Sequence, residues 1–422
     1  MDTAAKTIAI LATLDTKGDE AAFLAECIRA RGFRALVVDV STTDAAKRQG
    51  DVSRADLLRD LSKELADAIN SRDRGTAVAA MGEAAARSLA VLNDAGKIDG
   101  VIGIGGSGGT SIACRAMRAL PLGVPKIMVS TVASGDVTAF VGAKDIVMVP
   151  AIVDLAGLNR ISRGVLARSA GAVCGMVEAN RRDSSDDRPL VVASMFGNTT
   201  QCVEAAKRIL EDDGYEVLVF HATGSGGRTM EELIAAGLVA GVLDITTTEW
   251  ADELCGGVMS AGPARLGAAA RRDVPAIVAP GCLDMVNFWS RDTVPERYRD
   301  RRLYQHNPNV TLMRTNVEEN RQLAELIANK LNASRGPVTV LLPLHGLSMI
   351  GKPDGPFHWP EADEALFAGL KEHLRAGIDV IELAANINDA AFAESCAAEL
   401  LKHLRAVAAA TKPTEKHDAQ SL

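Results

Sequence analysis

VIGIGGSGGTS, residues 101–111, sets five glycines directly behind a short hydrophobic run. It spells two motifs at once. Gly103, Gly105 and Gly108 follow the dinucleotide pattern G-x-G-x-x-G, while Gly105, Ser107 and Gly109 follow the nucleophile elbow G-x-S-x-G. Both motifs require a strand before the glycines and a helix after them, so the stretch predicts a strand over 99–104 and a helix over 110–119.

The same alternation extends outward in both directions. TIAILAT (7–13), ALVVDVS (35–41) and KIMVST (126–131) are strand-like runs, and helical periodicity occupies 20–32, 53–70, 80–95 and 160–180. This is the pattern of a doubly wound sheet covered by helices. The polar stretch RRDSSDDRP (181–189) predicts a domain boundary, giving units 1–185 and 186–410 and a disordered tail, 411–422. The second unit opens as the first does: strand 189–195, helix 201–215, strand 216–222. Strands over 241–246, 275–280, 338–344 and 379–385 continue it, with helices near 316–332, 361–376 and 389–409 and an irregular stretch over 281–310. The expected fold is α/β, with two Rossmann-like subdomains, each a mostly parallel sheet with helices on both faces.

Composition narrows the function classes. A net charge of −8 leaves no broad basic field for nucleic-acid phosphates, and aromatics at 4% argue against a stacking surface. The seven cysteines are widely spaced with no C-x-x-C, which suits reduced thiols in a cytoplasmic protein. No stretch approaches the length and apolarity of a bilayer span, and the N-terminus lacks the marks of a secretion signal.

In doubly wound folds ligands bind at the carboxyl ends of the strands. The loops expected there are rich in glycine and hydroxyls: LDTKG (14–18), GGSGGTS (105–111), TVASGD (131–136), FGNTT (196–200), ATGSGGRTM (222–230) and ITTTEW (245–250). Such loops bring backbone N–H groups and helix N-termini close to an oxyanion. Dinucleotide binding is disfavoured, because the strand after the glycine loop ends in hydroxyls and Asp136 lies too far along the next loop to hold a ribose. The P-loop pattern G-x-x-x-x-G-K-[ST] is absent. Ser107 is a candidate nucleophile with His221, His306 or His345 as candidate bases, but a phosphate cradle has the same composition. Lys17 is a candidate phosphate partner, with Asp15 or Asp136 on a magnesium ion; the alternative is that Asp15 caps a helix and Lys17 is solvated. In the second unit, Arg228 lies in a glycine loop at a helix start, and Arg291, Arg297, Arg299, Arg301 and Arg302 precede His306. Asp244, Glu249, Asp252 and Glu253 could serve acid–base work or balance those arginines.

The stretches ATLDTKG, GIGGSGGTS, STVASGD, DLAGLN, FHATGSGGRTMEELI, LDITTTEWADELCGGVMSAGPARL, PGCLDMVNF, HNPNVTLMRT, PLHGLS and NINDAAFA together resemble the Tm-one-like ATP-binding domain family. The resemblance implies ATP binding and self-association, as a homodimer or a dimer of dimers. The second domain of the plant relative has no counterpart in these residues, so no viral partner is carried over. Placed on the loops, the nucleotide is expected at Asp15, Thr16, Lys17, Gly105, Gly106, Ser107, Gly108, Gly109, Thr110, Ser134 and Asp136. An anionic metabolite is expected at Thr223, Gly224, Gly226, Gly227, Arg228, Thr247 and Glu249. Three functions stay open: a nucleotide-dependent protein acting on that metabolite in a cleft between the halves, a hydrolase using Ser107, and a nucleotide-stabilised scaffold. No catalytic residue is assigned.

Overall fold

TIAILA, residues 7–12, has no polar residue after Thr7 and is buried throughout, as a central strand covered on both faces must be. In the computed structural model, which describes residues 5–46, 48–59, 61–179 and 188–411, it forms β1 (Thr7–Ala12). The chain divides into two units, Met1–Ser185 and Asp186–Leu422. Most of the boundary segment expected at 181–189, and the tail beyond Thr411, lie outside the described residues.

The first unit continues with α1 (Leu14–Arg29), β2 (Arg34–Asp39), α2 (Arg54–Leu58), α3 (Lys63–Ile69), α4 (Arg74–Asp94) and β3 (Gly100–Gly105). It is completed by α5 (Ser107–Arg118), β4 (Lys126–Ser130), α6 (Thr138–Val141), β5 (Val147–Pro150) and α7 (Arg160–Ala179). The strands form one parallel sheet in the order β2-β1-β3-β4-β5. Alternate side chains of β1 point to opposite faces. Ile8 and Ile10 pack with α1 and α7, whereas Ala9 and Leu11 pack with α4 and α5. Each fully buried isoleucine or leucine here contributes about 1.5–3 kcal/mol. The order reverses between β1 and β3, which is where such sheets open a crevice. The loops LDTKG and GGSGG follow those two strands.

The second unit comprises β6 (Leu190–Met195), α8 (Thr200–Asp212), β7 (Glu216–His221), α9 (Ser225–Ala235), β8 (Gly241–Thr246), α10 (Glu249–Cys255), α11 (Ala268–Arg272) and β9 (Ala276–Gly281). Then come β10 (Met285–Phe288), β11 (Leu303–Asn307), β12 (Val310–Arg314), α12 (Val317–Asn332), β13 (Val338–Pro343), α13 (Pro360–His373), β14 (Asp379–Leu383) and α14 (Ala390–Thr411). Its main sheet runs β14-β13-β9-β8-β6-β7, all parallel. Numbered within the unit this is again 2-1-3-4-5, with one strand added, so the two halves share their winding order.

Sequence reading misses β5 and the antiparallel sheet β10-β12-β11, which lies in the segment expected to be irregular. MVNF, LYQHN and VTLMR are short and lack a clean alternation. An arginine holds this sheet to α13: the Arg314 guanidinium, fully buried at the end of β12, donates to Asp363 at 2.7 Å and to the carbonyl of Phe357 at 2.7 Å. Burial pushes the Asp363 carboxyl up to about 7 against the pull of Arg314, and the nearby Asp284 adds to the rise. The folded chain therefore holds a proton that the unfolded chain releases at an ordinary carboxylate pKa, and this group's contribution to stability falls as pH rises from about 4 to about 7. Asp363→Asn is expected to reduce the loss of stability between pH 5 and pH 8. Urea midpoints of the two proteins at both pH values check it.

Candidate functional site

The five glycines of VIGIGGSGGTS divide into two jobs. A Cβ on Gly103 would stand 2.7 Å from the Met128 sulfur and 2.8 Å from the Ala113 Cβ, and one on Gly105 would stand 2.8 Å from the Gly109 Cα. These two glycines let α5 lie close on the sheet. Gly106, Gly108 and Gly109 instead face a cavity of about 700 Å³, which Thr13, Asp15, Thr16, Lys17, Ser107 and Thr131 also line. Gly106 is the N-cap of α5 and carries no capping side chain, so the first amides of the helix, at Ser107, Gly108 and Gly109, have no intrahelical acceptor. They form the positive end of the helix dipole.

Opposite them stand cations that sequence reading did not find. Arg72 and Arg74, in the turn that starts α4, line the same cavity as Lys17. An atom of the Arg74 guanidinium lies 3.8 Å from where a Gly108 Cβ would be. Among the described residues no carboxylate pairs with Lys17, Arg72 or Arg74. Arg48, Arg54, Arg59, Arg115 and Lys126 of the same unit, by contrast, each hold an acidic partner. Hydroxyls of Thr42, Thr43 and Ser71 and an apolar wall of Ala77, Val78 and Ile112 complete the lining.

The turn carrying Lys17 is set by hydrogen bonds from below. Asp39, at the end of β2, accepts from the Leu14 N–H at 3.2 Å, and Ser41 Oγ accepts from the Asp15 N–H at 3.1 Å. The helix is broken at Lys17, whose φ is −123° and ψ 22°. Asp15 accepts from the Thr43 hydroxyl at 2.7 Å and caps no helix.

Four residues expected here do other work. Gly105 packs, as above. The Thr110 hydroxyl is buried against Ser130 Oγ at 2.7 Å. Ser134 is exposed and outside the lining, and Asp136 accepts from the Thr138 N–H at 2.9 Å, an entry cap for α6. Hydrogen bonds from Thr138 hold the Asp136 carboxyl below the usual range. The first histidine of the chain is His221, so the three imidazoles considered as bases for Ser107 all belong to the second unit.

The second glycine loop is arranged in the opposite sense. Its amides, Gly224 N–H and Gly227 N–H, donate to Glu249 Oε1 at 2.7 and 3.1 Å. A Cβ on Gly227 would stand 2.1 Å from Glu249 Oε2, and one on Gly226 would stand 1.9 Å from the His221 carbonyl oxygen. The cradle exists, and the chain's own carboxylate fills it. Thr247 is buried, donating to the Ala279 carbonyl at 3.1 Å; Thr223 donates to His221 O at 3.3 Å, and Arg228 to Ser260 O at 3.0 Å. Of the residues expected to seat a metabolite, the Gly224 and Gly227 amides are taken by Glu249 and the Thr247 hydroxyl is buried, while Arg228 is exposed.

Glu249 is held in turn by Arg265, which is buried and was not singled out in the sequence. Its Nε donates to Glu249 at 2.6 Å and its Nη2 to Asp244 at 2.6 Å, with Glu231 3.5 Å from Nη1. Burial would push the guanidinium toward losing its proton, but Asp244, Glu249 and Glu231 hold its pKa well above the usual value. Glu231 also accepts from the Leu266 and Ala268 N–H groups, each at 2.7 Å, at the start of α11. Asp244, Glu249 and Glu231 thus assemble loops. The arginines of 291–302 are likewise structural where bonded: Arg301 grips Glu319 at 2.7 Å, and Arg302 lies 5.2 Å over the Trp359 ring.

Among the described residues no group of three or more His, Cys, Asp or Glu could hold a metal, and no helix is long and apolar enough to cross a membrane. All seven cysteines are free.

Residues 6–182 match the model of the Uncharacterised protein family (UPF0261) N-terminal domain, and residues 188–404 match that of its C-terminal domain. A UPF0261 protein of Clostridium tetani is 46% identical over 94% of this chain and 98% of its own length. One from Rhizobium meliloti is 47% identical over 93% of this chain and 98% of its own. The ToMV resistance protein Tm-1(GCR237) of Solanum lycopersicum is 41% identical over 91% of this chain, which spans 54% of the tomato protein. Among solved structures, a C2-type ketoreductase from a modular polyketide synthase aligns with 97% of the chain and 90% of its own at 15% identity, with a TM-score of 0.23. With both domain models matched in order and relatives aligned along nearly the whole chain, the protein belongs to the UPF0261, Tm-1-like family.

Proposed function

We propose that the first unit binds a nucleoside triphosphate, ATP, with its phosphates against α5. The observation that carries this is the meeting of Lys17, Arg72 and Arg74, none of them ion-paired, with the uncapped N-terminus of α5 on one cavity. In a chain of net charge −8, unpaired cations gathered on a helix N-terminus call for an anion. One phosphate would suit a single cation; this number of cations suits a polyphosphate. The donor set consists of amide N–H groups, hydroxyls, an ammonium and guanidinium groups, and it fits phosphate oxygens. The cavity of about 700 Å³ lies within the range of small-molecule sites.

Magnesium belongs to the same proposal, carried on the phosphates, with Asp15 as the carboxylate on the cavity wall that would meet it. A bound triphosphate would supply a transferable phosphoryl group. No observation at Ser107 favours the hydrolase reading over the phosphate cradle. Cytoplasmic location and self-association rest on the free thiols and on the family.

Calorimetric titration of ATP with magnesium into the full chain tests the reading. Lys17→Ala and Arg74→Ala are each expected to weaken binding roughly ten- to a hundredfold, the loss of one charge-assisted contact worth about 1.5–3 kcal/mol. Unchanged affinity in both variants would remove the phosphate assignment.

A further inference from the structure

A second cavity, of about 400 Å³, adjoins the first: Thr43 lines both. Its floor is the end of β2, and its lining includes Asp39, Asp44, Arg48, Gln49, Ser53 and Arg54. The segment beyond it runs beside β2, with the Val52 N–H donating to the Val37 carbonyl at 3.0 Å and the Asp39 N–H to the Val52 carbonyl at 2.9 Å. Gly50 permits that approach, since a Cβ there would stand 3.0 Å from the Val37 and Val52 oxygens.

The two cavities differ in charge. In the first the cations are unpaired. In the second, the cations among the described residues are neutralised, Arg48 by Asp19 at 2.8 Å and Arg54 by Asp44 at 2.6 Å. A polyphosphate belongs in the first, and an uncharged group attached to it belongs in the second.

Asp39 gives the second cavity a specific acceptor. The residue is 5% exposed. One carboxylate oxygen, Oδ1, takes all three of its hydrogen bonds, from the Leu14 N–H at 3.2 Å, the Ser41 N–H at 3.0 Å and the Ser41 hydroxyl at 2.5 Å. The other oxygen, Oδ2, has no partner among the described residues, on a side chain that lines the cavity. A carboxylate oxygen accepts and does not donate, and a vicinal diol offers it two hydroxyl donors. Through Leu14, Asp39 is one hydrogen bond from the turn that carries Lys17, so an acceptor for hydroxyls stands beside the seat of the phosphates.

We infer that Asp39 holds the ribose hydroxyls of the nucleotide, with the nucleoside in the cavity over β2, so that the site selects ribonucleotides over deoxyribonucleotides. This rests on the nucleotide reading above and adds the orientation of the ligand and the residue that reads its sugar.

The test is titration calorimetry of the full-length chain with ATP, 2′-deoxy-ATP, 3′-deoxy-ATP and inorganic tripolyphosphate, each with magnesium. At least one deoxy analogue is expected to bind tenfold or more weakly than ATP, and tripolyphosphate, which has no sugar, is expected to bind the wild type and Asp39→Asn within twofold of each other. In Asp39→Asn, which keeps an oxygen for Leu14 and Ser41, the ratio between ATP and that analogue should fall below about threefold. ATP and both analogues binding within twofold of one another in the wild-type chain would overturn the inference and leave the nucleotide reading standing. No binding by any of the four would overturn both. The comparison in the wild-type chain needs no variant, so a poorly folding Asp39→Asn does not protect the inference.

Discussion

Arg265→Ala is expected to cost the second unit about 3–5 kcal/mol, the range for removing one partner from a buried ion pair, and so to remove a large share of an ordinary domain's stability at neutral pH. The reason is what remains behind. Asp244, Glu249 and Glu231 are all buried, and the guanidinium is the cation that neutralises them. Without it three carboxylates face one another with too few donors, and the glycine loop at 224–227 loses the group that keeps Glu249 against its amides. Arg265→Lys should recover little, because an ammonium cannot reach Asp244 and Glu249 together with the forked geometry of a guanidinium. Burial already raises the Glu231 pKa, so lowering the pH should partly restore the alanine variant by protonating the stranded acids. Urea denaturation followed by circular dichroism at pH 5 and pH 7.5 measures both effects.

Gly106→Asp is expected to separate folding from binding. Gly106 has φ −77° and ψ −165°, which any residue adopts, and the nearest atom to an added Cβ is Thr131 Oγ1 at 3.7 Å. Aspartate is also a better N-cap than glycine by a few tenths of a kcal/mol, so the variant should be at least as stable as the parent. Its carboxylate would accept from the α5 amides and place a negative charge where the phosphates sit. Nucleotide affinity should fall a hundredfold or more, about 2.7 kcal/mol. A thermal melt and a binding titration on the same preparation check the two halves of this expectation.

The parallel strands other than β5, and most helices, were legible because a central strand cannot hide its composition: TIAILA and GVIGIG are apolar on both faces, whereas β5 is a four-residue edge strand. The three-stranded sheet was not legible, because its strands are short and an arginine-rich turn separates them. At the site, the glycine loop and Lys17 were visible as residue types behind strands. Arg72 and Arg74 were not, since SRDRG reads as a polar turn and only the winding order brings the start of α4 beside the start of α5. Asp39 escaped for a related reason. The ribose acid was sought at the end of β4, the next strand along the chain from the glycines, whereas the order β2-β1-β3 puts the end of β2 beside the turn after β1. The second glycine loop misled in the other direction. Its composition is that of an anion cradle, and the pattern held no sign that Glu249, more than twenty residues on, was the anion.

That contrast between an open cradle in one unit and a filled one in the other sets the decisive titration. ATP with magnesium, added to the wild-type chain and to Gly106→Asp under calorimetry, should bind the wild type once per chain and the variant a hundredfold more weakly or not at all. Two nucleotides per chain, no binding, or equal affinity in the two proteins would contradict the account.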